Sequence, residues 1–207
     1  MPQFIIDTSG AVVAPIGSHN ANMGPLAWAS LDAFTQGYIE ALFFTEEESL
    51  CEESDGARHM PDVAFNTSTM ESHFVGGDSF GFSDLAPGAL ARIIADCEAF
   101  QRDNAATLEE AYTRDYDAAQ AGRDYWFTRN GHGVGFWDRD ALEPDSAEYE
   151  RLTNAMVDAR RSNGDWDALL SQRNRLKAES LGERLSAACR HQDVDAYLGD
   201  DGKVHLS

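Results

Sequence analysis

The stretch YWFTRNGHGVGFWDRD, residues 125–140, packs two tryptophans, three glycines, a histidine and two arginines into sixteen positions. How it is read decides the fold. In DYWFTR, residues 124–129, aromatic and β-branched side chains crowd a short run, which favours a strand. NGHG, residues 130–133, follows with the residue types that most readily take positive φ, so it reads as a tight loop. FWDRD, residues 136–140, leads into a helical tract. On this reading Trp126, Phe136 and Trp137 are core side chains where a sheet meets helices, and Trp137→Ala costs about 3–5 kcal/mol.

Downstream, 145–162 and 165–192 have helical periodicity with a break at Asn163-Gly164. The apolar runs AYLG and KVHL then flank Asp200-Asp201-Gly202, a hairpin signal. Upstream, 105–121 reads as a helix with Thr107 and Glu110 in capping-box spacing and Gly122 placed to stop it. It follows a helix at 84–104, capped by Ser83 or Asp84, with Leu90, Ile93, Ile94, Cys97 and Phe100 as its apolar stripe. These two helices, joined at Asn104, form an antiparallel pair. A further helix spans 25–45, from Pro25 to the acidic run EEESLCEESDG. Residues 55–83 have no stable period and form either a functional surface loop or an irregular packed segment. Residues 1–25 read as a short strand, FIIDTSG, and a loop. The expected fold is α+β over one domain, 1–207. It is mostly helical, with strands near 124–129, 195–199 and 203–206 in one three-stranded antiparallel sheet covered by the helices.

With 43% hydrophobic residues the chain is a folded protein, and no run of about 18 apolar residues provides a membrane span. The first residues lack the basic region and apolar core of a signal peptide, so a cytoplasmic location is expected. Cys51, Cys97 and Cys189 are scattered, without disulfide or zinc spacing, and Cys97 and Cys189 read as buried helical thiols. The net charge is −20. The first hundred residues hold 15 acids and two bases, a net −13, and the remainder 21 and 14, a net −7. Nucleic acid is therefore excluded as a direct partner, because phosphate binding needs clustered Lys and Arg. Two readings of the charge stay open: solvation in a salt-adapted or GC-rich source, suggested by two lysines against 14 arginines, or a face that attracts basic proteins.

QAGRDYWFTRNGHGVGFWDRD, residues 120–140, together with YLGDDGKVH, residues 197–205, resembles a family of uncharacterised tailed-phage and prophage proteins. The family shows a T-R-N-G-H-G-x-G-F-W-D-R block, here Thr128 to Arg139, and a terminal Y-x-G-D-D-G-K hairpin, here Tyr197 to Lys203. GYIEALFFTEEE, residues 37–48, and DLAPGALARIIADCEAF, residues 84–100, resemble its N-terminal half. Two departures stand out: 141–192 contains a helical insertion, and 1–25 is an extension. The resemblance implies a virus-derived accessory protein in the host cytoplasm and carries no activity.

Three functions follow as expectations. The first is an acidic accessory protein that binds a basic, nucleic-acid-binding host or viral protein, as a DNA-mimic inhibitor of host defence, through Glu40, Glu46, Glu47, Glu48, Glu52 and Glu53. The second is a small enzyme or ligand-binding protein with a Gly/His loop site at His132, Asp138 and Arg139, with Asp200 and Asp201 adjacent across the sheet. The third is a structural or replication accessory. No P-loop, HExxH or paired-cysteine motif is present, so no cofactor or metal is expected. His59 and His73 lie near Asp62, Glu71 and Asp78, but at spacings that match no ligand motif.

Overall fold

The computed structural model describes residues 28–59, 62–66, 71–75, 79–162, 164–189 and 193–207. The strand expected near 4–10, the 1–25 extension, the helix start at Pro25 and Asp78 lie outside them. Seven α-helices dominate the described residues, with two separate two-stranded antiparallel ladders. The chain is thus mostly helical α+β, as expected, but the three-stranded sheet is absent from the described residues.

Helix α1 spans Ala33–Glu53, after a single 3-10 turn at Trp28–Ser30. Asp32 caps it, accepting from the Thr35 N–H at 2.9 Å and the Thr35 hydroxyl at 2.8 Å. The acidic run does not end this helix. Leu50 and Cys51 resume the apolar rhythm past the glutamates and are buried, and the chain breaks only at Ser54, before Asp55 and Gly56 take positive φ. Nor is there a single buried face. Phe34, Tyr38, Ile39, Leu42 and Phe43 are all buried, so the first half of α1 is enclosed by the rest of the fold.

Residues 55–83 contain a hairpin, β1 (Asp62–Asn66) with β2 (Glu71–Val75), in the register Asp62↔Val75 to Asn66↔Glu71. Asp84, expected as a helix cap, instead holds a 3-10 turn at Phe82–Asp84. It accepts from the Gly81 N–H at 3.0 Å and pairs with Arg58. Helix α2 (Pro87–Asp103) starts with proline in its first turn, where a missing N–H costs nothing, and buries Leu90, Ile93, Cys97 and Phe100.

The expected 105–121 helix is two pieces, α3 (Ala105–Tyr112) and α4 (Ala118–Arg129). The central correction is here: DYWFTR is helix, not strand. Asp117 caps α4 by accepting from the Gln120 N–H at 2.7 Å, and the alanines behind it are strong helix formers. Gly122 does not stop the helix. It lies within α4, where a Cβ would fall 1.8 Å from the Phe34 carbonyl oxygen, and Gly37 of α1 stands 2.0 Å from the Ala119 oxygen by the same measure. The two glycines let the α1 and α4 backbones touch. Tyr125, Trp126, Phe127, Thr128 and Arg129 are all buried, which erases the one-sided pattern that marks most helices.

Helices α5 (Ala147–Arg161) and α6 (Asp167–Lys177) pack on each other. The tract expected at 165–192 divides at Ser180, which caps α7 (Leu181–Ala188). The terminal hairpin is as expected, β3 (Ala196–Leu198) with β4 (Val204–Leu206) and Gly202 at positive φ in the turn. Its further neighbour is not 124–129 but Leu85, which bridges Val204 while the Ala86 N–H donates to the Val204 carbonyl at 2.8 Å. Cys51, Cys97 and Cys189 are buried, and Cys97 and Cys189 are free thiols. No described helix is long and apolar enough to cross a membrane.

Candidate functional site

Most side chains of the 128–139 block are spent on structure. Thr128 Oγ1 accepts from the Phe136 N–H at 3.1 Å, and a Cβ on Gly135 would lie 2.1 Å from that oxygen. Arg129 is buried and pairs with Asp96 at 2.6 Å, with its guanidinium 5.8 Å from the Tyr125 ring centre. Asn130 ends α4 and accepts from the Val194 N–H at 2.9 Å. Gly131 and Gly133 carry φ of 68° and 77°, a region that costs any other residue steric strain. Phe136 is fully buried and stacks on Phe100. Arg139 forks onto the buried Asp124, which also accepts from Tyr116 at 2.7 Å and Gln120 at 3.0 Å. Burial, with Asp124 alongside, lifts the Tyr116 hydroxyl far above its ordinary value.

His132, Val134, Trp137 and Asp138 are left facing solvent. Trp137, expected in the core, is 40% exposed. The 3-10 turn at Phe136–Asp138 aims Phe136 inward, and the next side chain consequently points away.

His132 is held against the C-terminal half of α1. Its N–H donates to the Phe127 carbonyl at 3.0 Å, its ring stacks on Trp126 at 6.1 Å, and Nε2 lies 3.6 Å from Glu46 Oε1. The Trp126 indole donates to Thr45 Oγ1 at 2.8 Å, and Thr45 lies 2.9 Å from the same Glu46 oxygen. Phe127 is edge-on to both His132 and Phe44, and Phe44 is 52% exposed. The result is a small aromatic surface bordered by carboxylates.

The expected catalytic set is not assembled. Arg139 is committed to Asp124, and Asp138 has no side-chain hydrogen bond or ion pair to either His132 or Arg139 among the described residues. Asp201 pairs with His205 at 3.0 Å, which, with the Lys203 N–H, holds its carboxyl below the usual range. Asp200 is an exposed turn residue of the same hairpin. The six glutamates divide. Glu40 pairs with Arg123 at 2.9 Å, Glu46 faces His132, and Glu53 accepts from the Leu198 N–H at 2.7 Å, tying α1 to β3. Glu47, Glu48 and Glu52 make no such side-chain contact among the described residues.

Among the described residues no three His, Cys, Asp or Glu side chains stand close enough to hold a metal ion. The hairpin register pairs His73 with Ala64 and places Glu71 and Asp62 at opposite ends of the ladder. A cavity of about 420 Å³ opens beside Arg129, lined also by Asp96, Phe100, Asn104 and Tyr125. Burial pushes the Tyr125 hydroxyl up to about 12.

The Glu46–His132 pair escaped the sequence because its members are far apart in the chain and meet only across the α1–α4 contact. The one available signal was the i+4 phase from Leu42 to Glu46, which continues the buried rhythm of α1 toward α4. No known protein family, curated protein or solved structure matches the chain.

Proposed function

We propose that this is an acidic accessory protein of phage origin that binds a basic, nucleic-acid-binding protein of the host or the virus. It presents carboxylates where that partner would meet DNA phosphates, and so inhibits a host-defence enzyme. The observation that supports the reading is how the charges are disposed. Outside α5 and α6, every described arginine and lysine is drawn into an internal contact, most of them with a carboxylate. Glu47, Glu48 and Glu52 meanwhile project unpaired from one end of α1, beside the exposed Phe44. A surface whose bases are mostly held in internal contacts, and which still carries unpaired acids, attracts cationic grooves at long range.

The test uses Glu47→Gln with Glu48→Gln and Glu52→Gln, which leaves the internal contacts of Glu40, Glu46 and Glu53 intact. In pull-downs from host lysate the variant loses the partner that the parent chain captures. Parental capture weakens from low to moderate salt, as exposed charges more than a Debye length of about 8–10 Å apart become screened. Added duplex DNA releases the captured protein. Capture that survives the substitutions with the same salt dependence, or that duplex DNA leaves untouched, overturns the reading.

A further inference from the structure

The α5–α6 hairpin differs electrically from everything around it. Residues 147–177 hold five carboxylates and six bases, a net +1, so the rest of the chain holds 31 acids and ten bases, a net −21. Among the described residues, the hairpin is anchored at its base. Glu143 accepts from Tyr149 at 2.8 Å and pairs with Arg173 at 3.3 Å and Lys177 at 3.6 Å, and Arg173 lies over the Tyr149 ring. Beyond that hub the packing thins. In α5 only Tyr149 and Leu152 are buried, and α6 buries no residue at all. Met156, Leu169 and Leu170 are half-covered, and Val157 is 44% exposed. The described bases without an ion pair or hydrogen bond are Arg160, Arg161 and Arg175, all on this hairpin.

The exposed stripe of α5 is its own complement when reversed. On the face that carries Asn154 and Val157, read outward from the midpoint at Asn154–Ala155, Arg151 answers to Asp158 and Glu150, about a midpoint one residue along, to Arg161. All four side chains are exposed. Of these only Arg151 has an ion pair within the chain, to Glu148 at 4.0 Å, a surface contact of little energy. Acid at a helix start and base at its end also suit the helix dipole. The dipole does not, however, call for the inner Arg151–Asp158 inversion, nor for Val157 on the same stripe.

We infer that α5 is a homodimerisation helix, pairing antiparallel with α5 of a second copy across a twofold axis near Asn154. A twofold contact must be self-complementary, and this stripe meets that condition charge for charge. The two bodies, each strongly negative, repel, and the near-neutral hairpin is the part of the molecule on which a second copy can approach without that penalty. A helix of this length extends about 22 Å, so the interface lies at the small end for stable dimers and association depends on concentration.

Sedimentation velocity on the full chain over a dilution series tests the pairing. The parent chain passes from 22.7 kDa monomer to a species of twice that mass as concentration rises. One variant carries Arg161→Glu, the other Glu150→Arg. Each alone sets like charges opposite each other and stays monomeric, with dimer dissociation raised about tenfold or more. Mixed in equal amounts they form a heterodimer, because every reversed charge then meets its opposite. Far-ultraviolet circular dichroism confirms that both are folded. A parent chain that stays monomeric, a single variant that still dimerises, or a mixture that does not associate overturns the inference.

Discussion

Trp126 and Trp137 belong to the same sequence block and meet opposite environments. Trp126 is fully buried between α1 and α4, and its indole N–H is spent on Thr45. Trp137 is 40% exposed, which removes the large penalty that the sequence implied for its loss. Trp126→Ala therefore costs about 3–5 kcal/mol, the range for deleting a buried aromatic. Trp137→Ala costs about 1 kcal/mol or less, as for a partly exposed side chain. Urea unfolding midpoints at constant slope measure both, and equal losses would contradict the burial described. The same reasoning applies to His132, whose ring covers Trp126 from outside: His132→Ala leaves a folded protein, so any lost partner or activity in that variant reports on the surface and not on the fold.

At the scale of elements, the α1–α4 crossing organises the molecule, and it depends on two glycines, Gly37 and Gly122, the second of which the sequence offered as a helix stop. A methyl group at Gly122 would meet the Phe34 carbonyl, which belongs to the backbone of a packed helix and has nowhere to go. Gly122→Ala is thus expected to cost about 1–3 kcal/mol or more, as overpacking forces the helices apart. Gly88 in the first turn of α2 has nothing within 4 Å of its added methyl and no positive φ. Gly88→Ala stabilises by up to about 0.5–1 kcal/mol through helix propensity. Thermal denaturation of the two variants should move in opposite directions, and a shift of the same sign in both would remove the close crossing. The assignment of DYWFTR as strand failed for a related reason. Aromatic residues raise strand propensity on average, but a helix buried nearly all round tolerates them equally, and the Asp117 cap outweighs that small preference.

Across the whole molecule, burial of ionisable groups sets an alkaline limit. Burial lifts Tyr38, Tyr116 and Cys97 well above their ordinary values and pushes Tyr125 and Cys189 up to about 12. In the unfolded chain thiols lose their protons near pH 9 and phenols near pH 10. Between those values and the folded ones the unfolded chain binds fewer protons than the native protein. Stability is accordingly complete below pH 9 and falls as pH rises through that window. Tyrosinate absorbance is expected to appear together with loss of helical dichroism. Tyrosines that titrated near pH 10 in a still-helical protein would show that these rings are open to water.

The helical α+β character, the α2 stripe from Leu90 to Phe100, the terminal hairpin around Gly202, the buried Cys97 and Cys189 and the acidic excess were all legible in the sequence. Each is dictated by local periodicity, by turn chemistry or by composition, none of which needs a partner elsewhere in the chain. The tertiary structure alone decided that the acidic run of α1 stays helical, that residues 124–129 are helix, that 62–66 and 71–75 pair, and that Glu46 faces His132 while Arg139 is taken by Asp124. Those outcomes depend on contacts between distant residues, where burial and ion pairing exceed the few tenths of a kcal/mol that separate local propensities.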